Sequence, residues 1–199
     1  MFNSRLYWEQ RYKNGDNSGS GSYGNLVTFK ADAINDFIAN YSIHKVIDWG
    51  CGDGNLCRMI KCDEYLGFDV SATTVDNCTR ELGNEKRKFI CYDGGLIDVQ
   101  EKGDICLSID VIFHLVEDDV YENYMHNPFN NSQKYVCIYS FDGEIKNTAN
   151  HVKYRKFSEL ISMKFPHVKL IKYVKNQYPR KKNSSPETTS WCDFYFYEV

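Results

Sequence analysis

The 199-residue chain has no apolar run near the roughly 18–20 residues that span a bilayer, and no excess of charge of either sign. Twenty-four Lys and Arg against 27 Asp and Glu leave a net charge of −3, so nothing pulls the whole molecule towards nucleic acid or an anionic membrane. Residues 1–14 are polar and aromatic and lack the apolar stretch of a secretory signal. The eight cysteines include no Cys-x-x-Cys pair and no histidine at ligand spacing. Zinc and thiol-redox sites of the familiar kinds need such pairs. Reduced structural thiols and no bound metal are therefore expected, with Cys91, Cys106 and Cys137 set in apolar runs as core residues. These absences predict a cytoplasmic protein. The length suffices for one real core and is short for two, and a 42% hydrophobic, 26% charged composition excludes wholesale disorder.

Short apolar runs flanked by polar residues recur at 44–48, 65–69, 88–92, 104–109 and 134–139. Such runs suit strands buried on both faces of a parallel sheet. Between them the spacing turns helical. Leu26, Phe29, Ala33, Phe37 and Ile38 share one helical face ahead of the first strand, with Lys30, Asp32, Asn35 and Asp36 off it. Residues 116–125 form an acidic, helix-compatible stretch that Asn127-Pro128 should stop. Strands alternating with helices predict an open, doubly wound α/β sheet with right-handed crossovers. The last quarter breaks this rhythm, since 168–174 and 191–199 are both strand-like and the polar loop between them holds two prolines. They should pair antiparallel as a hairpin at the sheet's end. Residues 15–24, rich in Gly and Ser, cannot hold a helix.

The stretch Val46-Ile47-Asp48-Trp49-Gly50-Cys51-Gly52-Asp53-Gly54-Asn55 is the most informative. A strand that runs into three alternating glycines makes a tight turn of little bulk, over which a ligand approaches the backbone at the carboxyl edge of the sheet. Asp69, closing the second run, is placed to hold a ribose diol with its carboxylate. A nucleoside-containing cofactor is the default. A dinucleotide pattern starting at Gly50 would need glycine where Asn55 stands, and Asp53 sets negative charge where a pyrophosphate would lie. A loop carrying acids suits a ligand with a positive or zwitterionic part. No Gly-Lys-Ser/Thr follows any glycine turn, which excludes a P-loop.

Asp48-x-Gly50-x-Gly52-x-Gly54 followed by Asp69 resembles the cofactor signature of class I S-adenosylmethionine-dependent methyltransferases. The resemblance covers most of the chain. Asp93, with Gly94 beside it, is similar to the family's acidic residue facing the adenine amino group. Asp110-Val111-Ile112-Phe113-His114-Leu115 is similar to the family's fourth-strand exit, which lines the methyl-transfer site. A reversed last strand is the family's usual ending, and Trp49 and Cys51 occupy variable positions of the signature. The resemblance implies a Rossmann-like, doubly wound, mostly parallel seven-stranded sheet with an antiparallel C-terminal hairpin. It implies one domain over 1–199, with 1–25 as an N-terminal cap on a 26–199 core. S-adenosyl-L-methionine is the implied cofactor and S-adenosyl-L-homocysteine its product. Tyr12, Asp48, Gly50, Cys51, Gly52, Gly54, Asp69, Val70, Asp93, Gly94, Asp110 and Val111 are the implied cofactor-binding residues.

Methyl transfer from a sulfonium is an in-line displacement in which alignment alone is worth about 7–11 kcal/mol in well-oriented cases. A hydroxyl or amine nucleophile must also lose a proton, and His114 is the candidate base; the alternative is a histidine that packs over cofactor. Glu117, Asp118 and Asp119 read as a solvated first helical turn. Trp8, Arg11 and Tyr12 lie on one helical side ahead of the glycine-serine loop, which predicts a lid. From 153 to 182 there are ten Lys or Arg and one acid, a basic stretch that suits an anionic acceptor or merely a solvated surface. The fourth-strand exit lacks the Asn/Asp-Pro-Pro-Tyr/Phe motif of base amino-methyltransferases, and no Pro-Cys nucleophile occurs, so nucleic acid is disfavoured. The expected acceptor is a small-molecule or glycan-type O or N nucleophile. A non-catalytic S-adenosylmethionine-binding protein, an enzyme that cleaves the cofactor, and a nicotinamide oxidoreductase remain as alternatives, the last disfavoured by Asn55.

Overall fold

The computed structural model describes residues 2–100, 102–146 and 149–199. Helix α1 (Ser4–Lys13) starts on the side chain of Asn3, which accepts from the Leu6 N–H, and is followed by α2 (Gly24–Asn40). Then come β1 (Lys45–Trp49), β2 (Glu64–Asp69), α3 (Ala72–Leu82), β3 (Arg87–Cys91) and β4 (Gly103–Ile109). The chain ends with α4 (Asp118–Asn130), β5 (Ser132–Ser140), α5 (Phe157–Lys164), β6 (Lys169–Val174) and β7 (Asp193–Glu198). The seven strands form one sheet in the order β3-β2-β1-β4-β5-β7-β6. Strands β1 to β5 are mutually parallel, and β7 runs antiparallel to both β5 and β6. The sequence-predicted sheet, with its terminal hairpin, is the one observed.

Period-two alternation splits the central strands between two cores. Ile105 and Leu107 of β4 join the layer that contains α2 and α3, while Cys106 between them joins the layer of α4 and α5. Both layers are rich in aromatic rings: Phe37 stacks on Phe196 on one side, and Trp49 on Phe68 on the other.

Four local expectations need correction. Strand β3 is not buried on both faces; it lies at the sheet edge, only Phe89 is buried, and Ile90 and Cys91 are exposed. Helix α4 does not stop at Asn127-Pro128 but runs to Asn130. Pro128 forgoes one amide bond in the last turn, and tertiary bonds hold that turn in place. Buried Asn127 accepts from Ile97 N–H and donates to Gly95 C=O, and buried Asn131 does the same with Val99 and Ile97. Lys30 is not off the buried face of α2 but only 2% exposed. The strand–helix alternation also lapses between β1 and β2, where the crossover contains a single 3-10 turn, Cys57–Met59, and no α-helix. Arg87 from β3 satisfies the carbonyls of Cys57 and Ile60 there, doing for this segment what helical bonds would otherwise do.

Candidate active site

The reversal of strand order between β1 and β4 opens a crevice at the carboxyl edge of the sheet. Strand β1 delivers the chain into Gly50, whose φ of +85° is left-handed and whose Cβ, were there one, would lie 2.5 Å from the Val111 side chain. Gly52, at φ +55°, would place a Cβ 2.5 Å from Ser18 Oγ. Side chains here would fill the crevice, so the glycines keep it open. The turn is pinned from β2: Gly50 and Cys51 N–H donate to Phe68 C=O at 2.7 and 3.0 Å, and Gly52 N–H donates to Asp69 Oδ2 at 2.9 Å.

Asp69 is buried and also accepts from Ser71 N–H at 3.0 Å; burial pushes its carboxyl up to about 6 despite these bonds. Asp48 lies deeper. Its Oδ2 accepts from Tyr65 O–H at 2.6 Å, its Oδ1 is buried without a partner, and burial pushes it up to about 6 as well. Asp110, following β4, adopts φ +59° and pairs with buried Lys30 at 2.5 Å. Removing one partner of such a pair strands a charge and costs about 3–5 kcal/mol, which accounts for a lysine tolerated on the apolar face of α2. Together with Tyr12, Gly50, Cys51, Gly52, Val70, Val111 and His114, the three aspartates line a cavity of about 820 Å³ counting its open mouth. Helix α1 lies across it. Glu9 accepts from Ser71 O–H at 2.6 Å and Thr73 O–H at 2.9 Å, Tyr12 O–H meets Ser18 Oγ at 2.8 Å, and Ser18 N–H donates to Asp53 at 2.8 Å.

His114 stands at the far wall, where a second cavity begins. Its Nδ1 lies 3.0 Å from the His151 carbonyl, which accepts only, so Nδ1 carries the hydrogen and Nε2 the lone pair. Burial drives the imidazole down to about 4, although the His151 carbonyl works the other way. His114 is therefore neutral at pH 7, edge-on to Trp8 at 4.9 Å and stacked on His151 at 5.6 Å.

Residues 47–124 match the sequence model of a family described as the methyltransferase domain. The chain is also similar in structure to N-methyltransferase NodS from Bradyrhizobium japonicum WM9 in complex with S-adenosyl-L-homocysteine, with a TM-score of 0.75 at 12% identity over 99% of this chain and 98% of that one. The magnesium protoporphyrin IX methyltransferase ChlM from Synechocystis PCC 6803 with bound S-adenosylmethionine gives 0.68 at 13% identity, over 100% and 98%. An S-adenosylmethionine-dependent methyltransferase from Clostridium acetobutylicum ATCC 824 gives 0.61 at 12% identity, over 85% and 90%. The chain has the fold of the class I methyltransferases. No curated protein matches it in sequence.

Ten of the thirteen sequence-predicted site residues meet around the first cavity: the nine named cofactor-binding candidates and His114. Asp93 and Gly94 line an adjoining cavity, which shares Trp8, Val70 and Tyr92 with the first; Asp93 is occupied by Gly95 N–H at 2.8 Å. Gly54 packs instead against Leu82 and Cys78. Sequence reasoning missed Lys30, Ser18, Tyr65 and His151. A signal existed for Lys30 alone: it falls in the stripe Val27, Ala31, Ile34, Ile38 at helical spacing.

Proposed function

We propose that the protein transfers a methyl group from S-adenosyl-L-methionine to an oxygen or nitrogen of a small-molecule or glycan-type acceptor. The observation that carries this reading is the first cavity: an open glycine turn flanked by buried Asp48 and Asp69, walled by α1, and joined at His114 to a second chamber. The residues fit a zwitterionic nucleoside. The unpartnered, buried Oδ1 of Asp48 is an acceptor in want of a donor, and Asp69 lies where a ribose diol would be held. A pyrophosphate fits less well, because no α-helix follows the glycine turn to offer its N-terminus and Asp53 is already in the turn.

S-adenosylmethionine, when bound, supplies an electrophilic methyl group on a sulfonium. The glycine turn, Asp48, Asp69, Val70, Asp110 and Val111 bind and orient the cofactor, with Asp93 and Gly94 extending the site into the adjoining cavity. Residues 1–25 act as a cap, Trp8 and Tyr12 excluding water from the inner chamber. His114 lines both chambers, and with Nδ1 committed to the His151 carbonyl its Nε2 lone pair is the one left to take a proton. An alkylated hydroxyl is an oxonium, a far stronger acid than an imidazolium titrating at about 4, so His114 receives its proton as the new bond forms; an alkylated amine is a weaker acid than that and loses its proton to solvent instead.

Calorimetry and thermal shift with S-adenosylhomocysteine, S-adenosylmethionine and NAD test the reading. Selective stabilisation by the first two is expected, weakened in Asp69→Ala by about tenfold or more, since a lost buried acceptor costs about 1–3 kcal/mol. A folded protein that ignores both sulfur ligands sinks the proposal.

A further inference from the structure

The second cavity has a composition of its own. Its walls come from α1, the turn after β4, the segment around His151 and the long loop between β6 and β7. Tyr7, Trp8, Phe113, His151, Tyr154 and Trp191 bring rings to them, beside the polar Gly-Ser segment 18–22. Two guanidinium groups also face this space, Arg11 and Arg180. One acid stands among the lining residues, Asp110, and Lys30 already neutralises it.

Most other arginines of the domain are spent on structure. Arg155 is held by Asp118 and by the carbonyls of Leu115 and Val116, Arg58 pairs with Glu81, and Arg87 serves Cys57 and Ile60. Arg11 and Arg180 differ. Among the described residues neither has an acidic partner. Arg11 donates one bond, Nε to Asn17 C=O at 2.6 Å, and lies 5.9 Å from the Trp8 ring centre. Arg180 makes one long side-chain bond, to Thr189 C=O at 3.3 Å, and its Nε is buried with no acceptor at all. A buried N–H of a charged group without an acceptor is rare in native proteins and marks a place where one is expected to bind. Arg180 is half-buried and lines this cavity, whereas Lys181 and Lys182 beside it are exposed. A concave pocket with rings and two guanidiniums in its walls suits a small flat molecule better than a nucleic-acid backbone, which tracks an extended basic surface.

We propose that Arg11 and Arg180 form an anion clamp in this chamber. The methyl acceptor is then a small, flat molecule that carries a carboxylate or phosphate group away from its nucleophile. The rings of Tyr7, Trp8 and Trp191 cover its apolar body, and the guanidiniums fix its register so that the nucleophile faces His114. The proposal rests on the methyltransferase reading of the first cavity.

The test uses the full chain saturated with S-adenosylhomocysteine and three probes of like shape: 4-hydroxybenzoate, 4-hydroxyphenyl phosphate and neutral 4-hydroxybenzamide. Binding is read by ligand-observed NMR and calorimetry. Preference for at least one anion over the amide is expected, and Arg180→Gln and Arg11→Gln should each weaken that anion by about tenfold while leaving the amide unchanged. The two anionic arms tell carboxylate from phosphate. S-adenosylhomocysteine affinity, measured first in wild type and both variants, reports the fold and the inner chamber. Its absence in wild type overturns the methyltransferase reading itself. Its presence, with no anion preferred or no probe bound, overturns the clamp alone. Tight binding of a single-stranded oligonucleotide that depends on Lys181 and Lys182 rather than Arg180 overturns it too.

Discussion

The inner chamber takes its walls from main-chain turns at the ends of β1, β2 and β4, where backbone N–H groups of residues 50–52 and 71 are bonded to a carbonyl or a carboxylate. The outer chamber takes its walls from side chains carried by α1 and by loops far apart in sequence, and two guanidiniums in it remain free of acids. One chamber is acidic and floored by backbone turns, the other cationic and walled by side chains from distant segments. A site made of backbone geometry tolerates little substitution and serves one ligand class, whereas a site made of side chains on loops is re-cut easily. The two chambers therefore carry different information, and they should respond differently to mutation.

The largest difference is expected at Gly50. Gly50→Ala meets both a left-handed backbone, at about 1–2 kcal/mol, and an overpacked contact with Val111, at about 1–3 kcal/mol. Urea unfolding should show a loss of that combined order, with S-adenosylhomocysteine binding abolished. Adding Val111→Ala should relieve the contact and leave the backbone cost. A Gly50→Ala protein that binds normally would mean that the turn is not the site.

A smaller change should separate the chambers functionally. His114→Ala is expected to lower kcat by roughly 10²–10⁴-fold while S-adenosylhomocysteine still binds, once an acceptor is in hand. Retained turnover would make His114 a packing residue.

The smallest effect is in pH. Cofactor affinity should fall as pH drops through about 6, where Asp69 and Asp48 protonate, while NMR shows His114 still neutral until about 4. Stability moves in two directions. The raised aspartates favour the fold fully below their ordinary value of 3.8 and lose that contribution as pH rises through about 6. His114 contributes above 6.5 and loses its share as pH falls through about 4. Asp69→Asn should remove part of the first trend and leave the second.

The inner chamber was legible because glycine spacing and strand-closing acids are local patterns. Asp48, Gly50, Gly52 and Asp69 are fixed by the strands they end, and the mostly parallel sheet with its terminal hairpin followed from the pattern of runs. The outer chamber was legible only in fragments, Trp8 and Arg11 on one helical side and Arg180 in a basic stretch, while His151 and Tyr154 reach it from a segment with no periodicity. Lys30 was misplaced because its charge was weighed above its position, when a partner 80 residues away decides the matter. Asn127 and Asn131 likewise overrode the proline between them through bonds that no local window contains.

Helix α1 is a party wall. Trp8 faces both chambers, Tyr12 faces the inner one and Arg11 the outer one, while Glu9 and Ser4 tie the helix to Ser71, Thr73 and Glu117. Any route that lifts α1 to pass a nucleoside also carries Arg11 and Trp8 away from the outer room. On the proposed function, a nucleoside that had to pass beneath α1 would then bind before the acceptor and leave after it.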